Sequence, residues 1–269
     1  MKKIYLPCMQ CQKEKGIPNF RFIEQEQNND LVYRLICDKG HETVAVQQSP
    51  KFEIIFDMAC TSLRYEDYTA AVKHCVTAIE RFHEFYVQCV WFSSNRELEN
   101  LEKSYGEYWK RVKQQSERQL GTFYSLFYNK YNDMRYDITD KMSSFRNNVV
   151  HKGYICTKKE AYDYLEKAFN YILDMLSLLH KDYEVGLQRA ISYNLKHLQS
   201  KYGNIAIFCD NHIVSTVCIY ERISLEERMQ GYYDSENKMN SALSNINKLC
   251  DLMNGDVDIA QFLKDCLGK

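Results

Sequence analysis

A run of apolar side chains in the first third of the chain follows the spacing of a buried helical stripe. Its members recur every four and three positions without a break and are Tyr68, Val72, Cys75, Ile79, Phe82 and Tyr86. Side chains at this spacing share one face of an α-helix, so they can be buried together against other helices. Only three prolines and ten glycines occur in 269 residues, which favours long helices over many short strands. We therefore expect a mainly α-helical fold, a helical bundle.

Two pairs of candidate metal ligands lie within residues 1–48. Cys8 and Cys11 form a C-x2-C pair, and Cys37 and His41 form a C-x3-H pair. Three thiolates and one imidazole suit Zn²⁺ in a closed structural site, and two such pairs on separate hairpins make a β zinc ribbon. Strands are predicted at 31–36 and 42–47, on either side of the second pair. We expect a structural zinc, because so small a segment needs a metal to fold; unrelated cysteines are the alternative.

A second motif sets Arg146 and His151 five positions apart near the expected end of a helix. Asn147 and His151 are one turn apart, on the face opposite an apolar stripe made of Ile138, Met142, Phe145 and Val149. This pattern predicts a helix over about 131–151, which Gly153 ends. Thr157 and Glu160 match a capping box that opens a helix from Lys158 to about Lys181.

The chemistry of this pair suits RNA cleavage without a metal. A histidine can take the proton from a ribose 2′-hydroxyl or give one to the leaving 5′-oxygen, and an arginine can hold the phosphate oxygens. The formal net charge of the whole chain is −1, which gives no argument for nucleic acid binding. Residues 141–160 are locally basic, which suits a phosphate backbone and equally a solvated helix end; the basic residues are Lys141, Arg146, Lys152, Lys158 and Lys159, against Glu160 alone.

The run 145–154, followed by a helix from Thr157, resembles the signature of the HEPN superfamily of helical proteins. Upstream, 65–72 leading to 78–82 is similar to an earlier helix of that family, which often carries an acidic residue near Glu80. The resemblance covers roughly residues 52–182. It implies an antiparallel helical bundle that pairs with a second copy, so that two arginine-histidine motifs meet in one ribonuclease site.

The resemblance therefore implies a homodimeric, metal-independent endoribonuclease that leaves a 2′,3′-cyclic phosphate on its RNA substrate. Arg146, Asn147 and His151 would be the catalytic residues, with Glu80 and Lys152 in support. Such family members often act as toxins or anti-phage effectors, sometimes under a regulatory or antitoxin partner. The alternative is a non-catalytic HEPN-like module for dimerisation or for nucleotide or nucleic acid binding in a larger assembly.

We divide the chain into a zinc ribbon (1–48), a HEPN-like helical domain (49–185) and a C-terminal extension (186–269) packed on the helical domain. A single amphipathic helix is predicted over 96–118. In the extension, helices are predicted over 187–198 and from Ser224 to Leu263, and 204–210 and 213–220 match a short β-hairpin.

Cysteine usage and hydropathy indicate where the protein works. Eleven cysteines without a secretory signal, and no apolar stretch of about 20 residues, lead us to expect a cytoplasmic protein that does not span a membrane. The sequence shows no phosphate-cradling glycine loop and no nucleophile elbow, which argues against P-loop and α/β-hydrolase chemistry.

Overall fold

A computed structural model describes residues 4–16, 19–23, 28–132, 140–202, 205–216 and 223–254. These residues are mainly helical and also form five short strands. They belong to two compact units. Unit 1 draws on the ranges 1–48, 198–209 and 231–269, and unit 2 on 49–197 and 210–230. The C-terminal segment 186–269 thus contributes residues to both units.

Unit 1 contains two small sheets. Strands β1 (Ile4–Cys8) and β2 (Asn19–Ile23) pair antiparallel, with helix α1 (Met9–Lys15) between them in the chain. Strands β3 (Val32–Ile36) and β4 (Glu42–Gln47) form the expected hairpin, and β5 (Ala206–Phe208) pairs parallel with β4. The core of these sheets is small and consists of Leu6, Tyr33, Leu35 and Ala45.

The pairing of β5 corrects the predicted C-terminal hairpin. The first predicted strand exists in part, but its neighbour is β4 and not the segment after Asn211. Residues 213–216 are buried without forming a strand, and 217–220 lie outside the described residues. Alternation of apolar side chains predicts a strand but not its partner, because any free sheet edge offers the same backbone hydrogen bonds.

The core of unit 2 is made by α2 (Lys51–Arg64), α3 (Tyr68–Phe92) and α7 (Lys158–Asp182). The predicted stripe lies on α3, and its members from Val72 to Tyr86 are at most 4% exposed. The Asp67 side chain accepts a hydrogen bond from the Ala70 amide and caps α3. The predicted capping box of Thr157 and Glu160 opens α7, with both of its hydrogen bonds formed.

The helix predicted over 96–118 is in fact two helices, α4 (Leu98–Val112) and α5 (Ser116–Tyr131). The break is stabilised by Gln119, whose side-chain amide donates to the carbonyl of Lys113 and accepts from Arg81 of α3. The turn lets Phe123 and Phe127 of α5 pack against α3. Gly121 lies inside α5, after this turn.

The remaining helices are α6 (Asp140–His151), α8 (Glu184–Tyr202) and α9 (Leu225–Asn254). The motif helix does not begin at Tyr131, because Tyr131 ends α5 and Asn132 has left-handed backbone, with φ of 49°. Residues 133–139, including Ile138, lie outside the described residues, as do 255–269 with the predicted helix end at Leu263. No helix among the described residues has both the length and the apolarity to cross a bilayer.

A buried polar network fixes the segment 210–216 onto α2. The His212 ring lies between Asp57 Oδ2, 2.6 Å from Nδ1, and Ser49 Oγ, 2.7 Å from Nε2. Asp57 Oδ1 also accepts from the Ile213 amide, and Glu53 Oε1 accepts from the Thr216 amide. No local pattern predicts this role for His212, because its partners lie about 160 positions away in the chain.

Candidate functional site

Helix α6 presents the arginine-histidine motif at its exposed C-terminal end. Met142 and Val149 are buried on one side, whereas Asn147 and His151 are exposed, as the stripe predicts. Gly153 has φ of 70°, and the amide of the next residue, Tyr154, donates a hydrogen bond to the carbonyl of Asn148. This left-handed turn ends the helix and leaves His151 at its last position.

Arg146 is held by an acidic residue from another helix. Its Nη2 donates to Glu80 Oε1 of α3 at 2.7 Å, and its Nη1 donates to Asn147 Oδ1 at 3.2 Å. The two charged side chains are each about one third exposed, at 32% and 33%. Glu80 therefore fixes the position of the guanidinium while leaving it accessible to solvent.

His151 does not join this cluster within one chain. Both His151 and Lys152 are exposed, and among the described residues neither side chain has a hydrogen-bond or ion-pair partner. Five positions along a helix turn a side chain by roughly 500°, so Arg146 and His151 project about 140° apart. The structure thus brings Arg146, Asn147 and Glu80 together and leaves the His151 ring separate from them.

A cleft of about 130 Å³ opens beside Arg146 in unit 2. Both members of the Arg146–Glu80 pair line it, together with residues of α3, α5 and α7. Its polar lining includes His83, Ser116 and Ser143, and its apolar and aromatic lining includes Ile79, Leu120 and Tyr124.

His83 in this cleft is a residue whose role the sequence did not reveal. The ring is 4% exposed, lies 4.0 Å from the Phe123 ring in a stacked arrangement, and has Nε2 2.7 Å from the Tyr171 hydroxyl. Burial lowers the pKa of His83 to about 3, so the ring is neutral. Its position three residues after Glu80 on α3 was the available signal, since that spacing places both on one helix face.

Cys8, Cys11, Cys37 and His41 converge in unit 1, with ligand atoms all within 4.8 Å of one another. The Cys11 and Cys37 sulfurs are 3.7 Å apart, and His41 Nδ1 is 3.4 Å from the Cys11 sulfur and 3.8 Å from that of Cys8. Metal–sulfur bonds of about 2.3 Å in a tetrahedron place sulfurs about 3.8 Å apart. The cluster can therefore bind a metal ion.

The local backbone explains how these ligands meet. Cys8 ends β1 and caps α1, and its sulfur lies 3.5 Å from the Cys11 amide that donates to it. The first pair is therefore at a strand–helix junction, and not on a hairpin as predicted. Cys37 and His41 lie in the β3–β4 turn, where Gly40 has φ of 78°. Nε2 of His41 lies 3.6 Å from Glu14 Oε1, so Nδ1 is the nitrogen that faces the sulfurs.

The pKa values of two thiols in the cluster are shifted in opposite directions. Burial, together with hydrogen bonds to the neighbouring thiols, raises the pKa of Cys11 to about 12. Burial also raises the pKa of Cys37, but hydrogen bonds from the backbone of Lys39 and His41 bring it below its ordinary value. A cation bound here would stabilise the thiolates that burial disfavours.

The chain matches no family of known proteins, no curated protein and no solved structure.

Proposed function

We propose that this protein is a metal-independent endoribonuclease whose site is built from Arg146, Asn147 and His151. The observation that carries this proposal is the accessible Arg146 guanidinium, which Glu80 holds at 2.7 Å on the helix that exposes His151. A fixed guanidinium stabilises charge on phosphate oxygens better than a mobile one, because no ordering is needed during the reaction.

The reaction uses the RNA's own nucleophile. One histidine accepts the proton of a ribose 2′-hydroxyl, the 2′-oxygen bonds to phosphorus, and the bond from phosphorus to the 5′-oxygen breaks. A second histidine gives a proton to the leaving oxygen. The products are a 2′,3′-cyclic phosphate and a free 5′-hydroxyl. During the reaction, Arg146 stabilises the negative charge that builds on the phosphate oxygens.

The site is completed by a second copy of the chain in this proposal. The motif of one chain provides a single histidine, His151, yet the reaction needs both a base and an acid. Arg146 and His151 also project in different directions within one chain, and the His151 ring has no orienting partner among the described residues. A two-fold axis at the end of α6 supplies the second histidine and the missing neighbours together. Lys152, also exposed there, adds positive charge for the RNA backbone.

A non-catalytic HEPN-like module is the second candidate, and one observation favours it. The Glu80 carboxylate neutralises much of the Arg146 charge, as expected of an ion pair that only joins α3 to α6. In this case α6 would serve as a dimerisation surface in a larger assembly. The two functions differ in whether the exposed His151 ring is required for anything besides assembly.

The test is cleavage of single-stranded RNA by the purified chain in EDTA, with its tightly bound metal retained. We expect His151→Ala and Arg146→Ala each to lower the cleavage rate about 100-fold or more, without loss of the dimer or of more than about 1 kcal/mol of stability. Lys110→Ala, which removes an exposed charge on α4, outside the basic stretch 141–160, is the matched control and should cut normally.

The chemical mechanism has its own control. An RNA with a single 2′-deoxy nucleotide at the cut site should resist cleavage, because it lacks the nucleophile. Normal cutting of that substrate, or full activity in His151→Ala, would contradict the nuclease and favour the non-catalytic module.

We extend the proposal to a role as a toxin or anti-phage effector in the cytoplasm. Its test is growth of the host, which the wild type should arrest and His151→Ala should not.

We also propose that Zn²⁺ is the metal of the Cys8, Cys11, Cys37 and His41 cluster, in a structural role. Three sulfurs and one imidazole nitrogen at tetrahedral spacing suit zinc. All four positions are then filled by protein, so no water is left to activate. The RNA chemistry proposed above accordingly does not use this metal.

A further inference from the structure

The cleft beside Arg146 has the size of a small ligand. Its volume of about 130 Å³ has room for about ten water molecules and is well below that of a pocket for a drug-sized molecule. Val76, Ile79 and Leu120 give it apolar walls, and the rings of Tyr124 and Tyr164 also line it. A flat ligand with an aromatic face suits such walls.

Three side chains that line this cleft have a hydrogen-bonding atom without a partner among the described residues. Glu80 uses Oε1 for Arg146, and its Oε2 has no partner among the described residues. Nδ1 of the buried His83 and the hydroxyl of Ser143 also have none in this part of the chain. His83 is 4% exposed, and its Nδ1 is open to the cleft, where water or a ligand can pair with it.

The charge of the lining argues against an anion. Two carboxylates, Glu80 and Glu117, face one guanidinium, Arg146, and His83 is neutral. The lining is therefore negative, which disfavours phosphate and favours a neutral ligand with N–H donors. The carboxylate oxygen Glu80 Oε2 can only accept at neutral pH, which suits an amino group on a ring, and His83 Nδ1 adds a second polar atom beside it.

We propose that this cleft is a subsite for one RNA base that carries an exocyclic amino group, namely adenine, guanine or cytosine. The assignment of the ligand to RNA rests on the proposed function. Arg146 connects the two sites, since its guanidinium lines the cleft and also belongs to the arginine-histidine motif. The base beside the cut phosphate would lie against the tyrosine rings and donate an amino hydrogen to Glu80 Oε2, with His83 Nδ1 as a further hydrogen-bonding atom. Uracil has a ring N–H between two carbonyl groups and no exocyclic amino group, so it would bring a carbonyl oxygen towards the Glu80 carboxylate where the other bases bring an amino group.

The experiment measures binding of single nucleosides to the full-length protein by saturation-transfer NMR and equilibrium dialysis, without any cleavage step. We expect adenosine, guanosine and cytidine to bind about tenfold or more tightly than uridine. Ser143→Trp, which fills the cleft from α6, should abolish binding. Ser144→Trp is the matched control, because Ser144 is exposed on the same helix and does not line the cleft; it should bind normally.

Three results would overturn the proposal: no nucleoside bound at millimolar concentration, uridine bound as well as the others, or binding unchanged in Ser143→Trp. If Ser143→Trp fails to fold by circular dichroism, Glu80→Gln replaces it, and unchanged selectivity against uridine in that variant overturns the proposal. RNA cleavage without nucleoside binding rejects the subsite alone. Selective binding by a protein that cuts no RNA supports the subsite and rejects the nuclease.

Discussion

Glu53 is a carboxyl group buried to 2% exposure, and it makes the stability of unit 2 depend on pH. Burial raises its pKa from 4.5 to about 7, although His212 and hydrogen bonds from Thr216 oppose this and Asp57 adds to it. Because the folded-state pKa is the higher one, the protonated form stabilises the fold fully below pH 4.5, and this contribution is lost as pH rises through about 7.

We therefore expect Glu53→Gln to gain stability relative to the wild type as pH rises from 4.5 to 8. The neutral amide keeps an oxygen for the Thr216 amide and never becomes charged, so the relative gain should reach on the order of 3 kcal/mol. Urea unfolding at a series of pH values measures it. Glu99→Gln changes an exposed carboxyl on α4, and its free energy of unfolding should equal that of the wild type at every pH. The prediction is wrong if the difference between Glu53→Gln and the wild type does not change with pH.

At the scale of elements, glycines distinguish a helix end from a helix interior. Gly153 ends α6 with φ of 70°, whereas Gly121 lies inside α5, and a Cβ would have open space at both. We expect Gly153→Ala to lower the free energy of unfolding by about 1 kcal/mol, because alanine resists left-handed backbone. Gly121→Ala should raise it by about 0.5–1 kcal/mol through better helix propensity.

Denaturant unfolding of the two variants beside the wild type is the measurement, and each variant controls for the added methyl group of the other. Stabilisation by both would mean that the turn after His151 is not left-handed in solution. Because Gly153 follows the motif by two positions, RNA cleavage by Gly153→Ala also reports how sensitive the site is to the turn.

Helix boundaries show where the local sequence pattern is enough to predict the structure. The apolar stripe of α3 and the capping box of α7 agree with the sequence because each involves neighbouring residues. The break between α4 and α5 was missed because Gln119 stabilises it through Arg81, a contact 38 positions away. Such a contact leaves no periodic signal.

For the whole molecule, metal removal should affect unit 1. Elemental analysis is expected to give about one zinc per chain, and Cys11→Ser should lower it sharply and expose residues 1–48 to proteolysis. Cys209→Ser is the matched control, because Cys209 is exposed and outside the cluster. If the zinc-free wild type resists protease to the same degree as the zinc-bound form, the metal has no structural role.

The second expectation for the whole molecule is a symmetric dimer. Light scattering at micromolar concentration should give twice the chain mass of 31.9 kDa, and the cleavage rate per chain should fall on dilution. Both follow from the need for two His151 rings in one site. A monomer that retains full activity would show that one chain is sufficient.

The sequence by itself determined the features that depend on nearby residues. The stripe of α3, the capping box of α7, the β3–β4 hairpin and the exposed face of α6 all follow from spacing, because backbone geometry repeats over a few residues. The Cys8, Cys11, Cys37 and His41 set was also visible, since each pair of ligands is spaced as a metal requires.

Only the tertiary structure decided which distant side chains meet. It paired β5 with β4, placed His212 between Asp57 and Ser49, and set Glu80 against Arg146 beside the cleft that contains His83. The sequence points to Glu80 by resemblance alone, and it does not distinguish His83 from the other histidines. Packing of whole helices fixes these contacts, and a pattern that repeats every few residues carries no information about them.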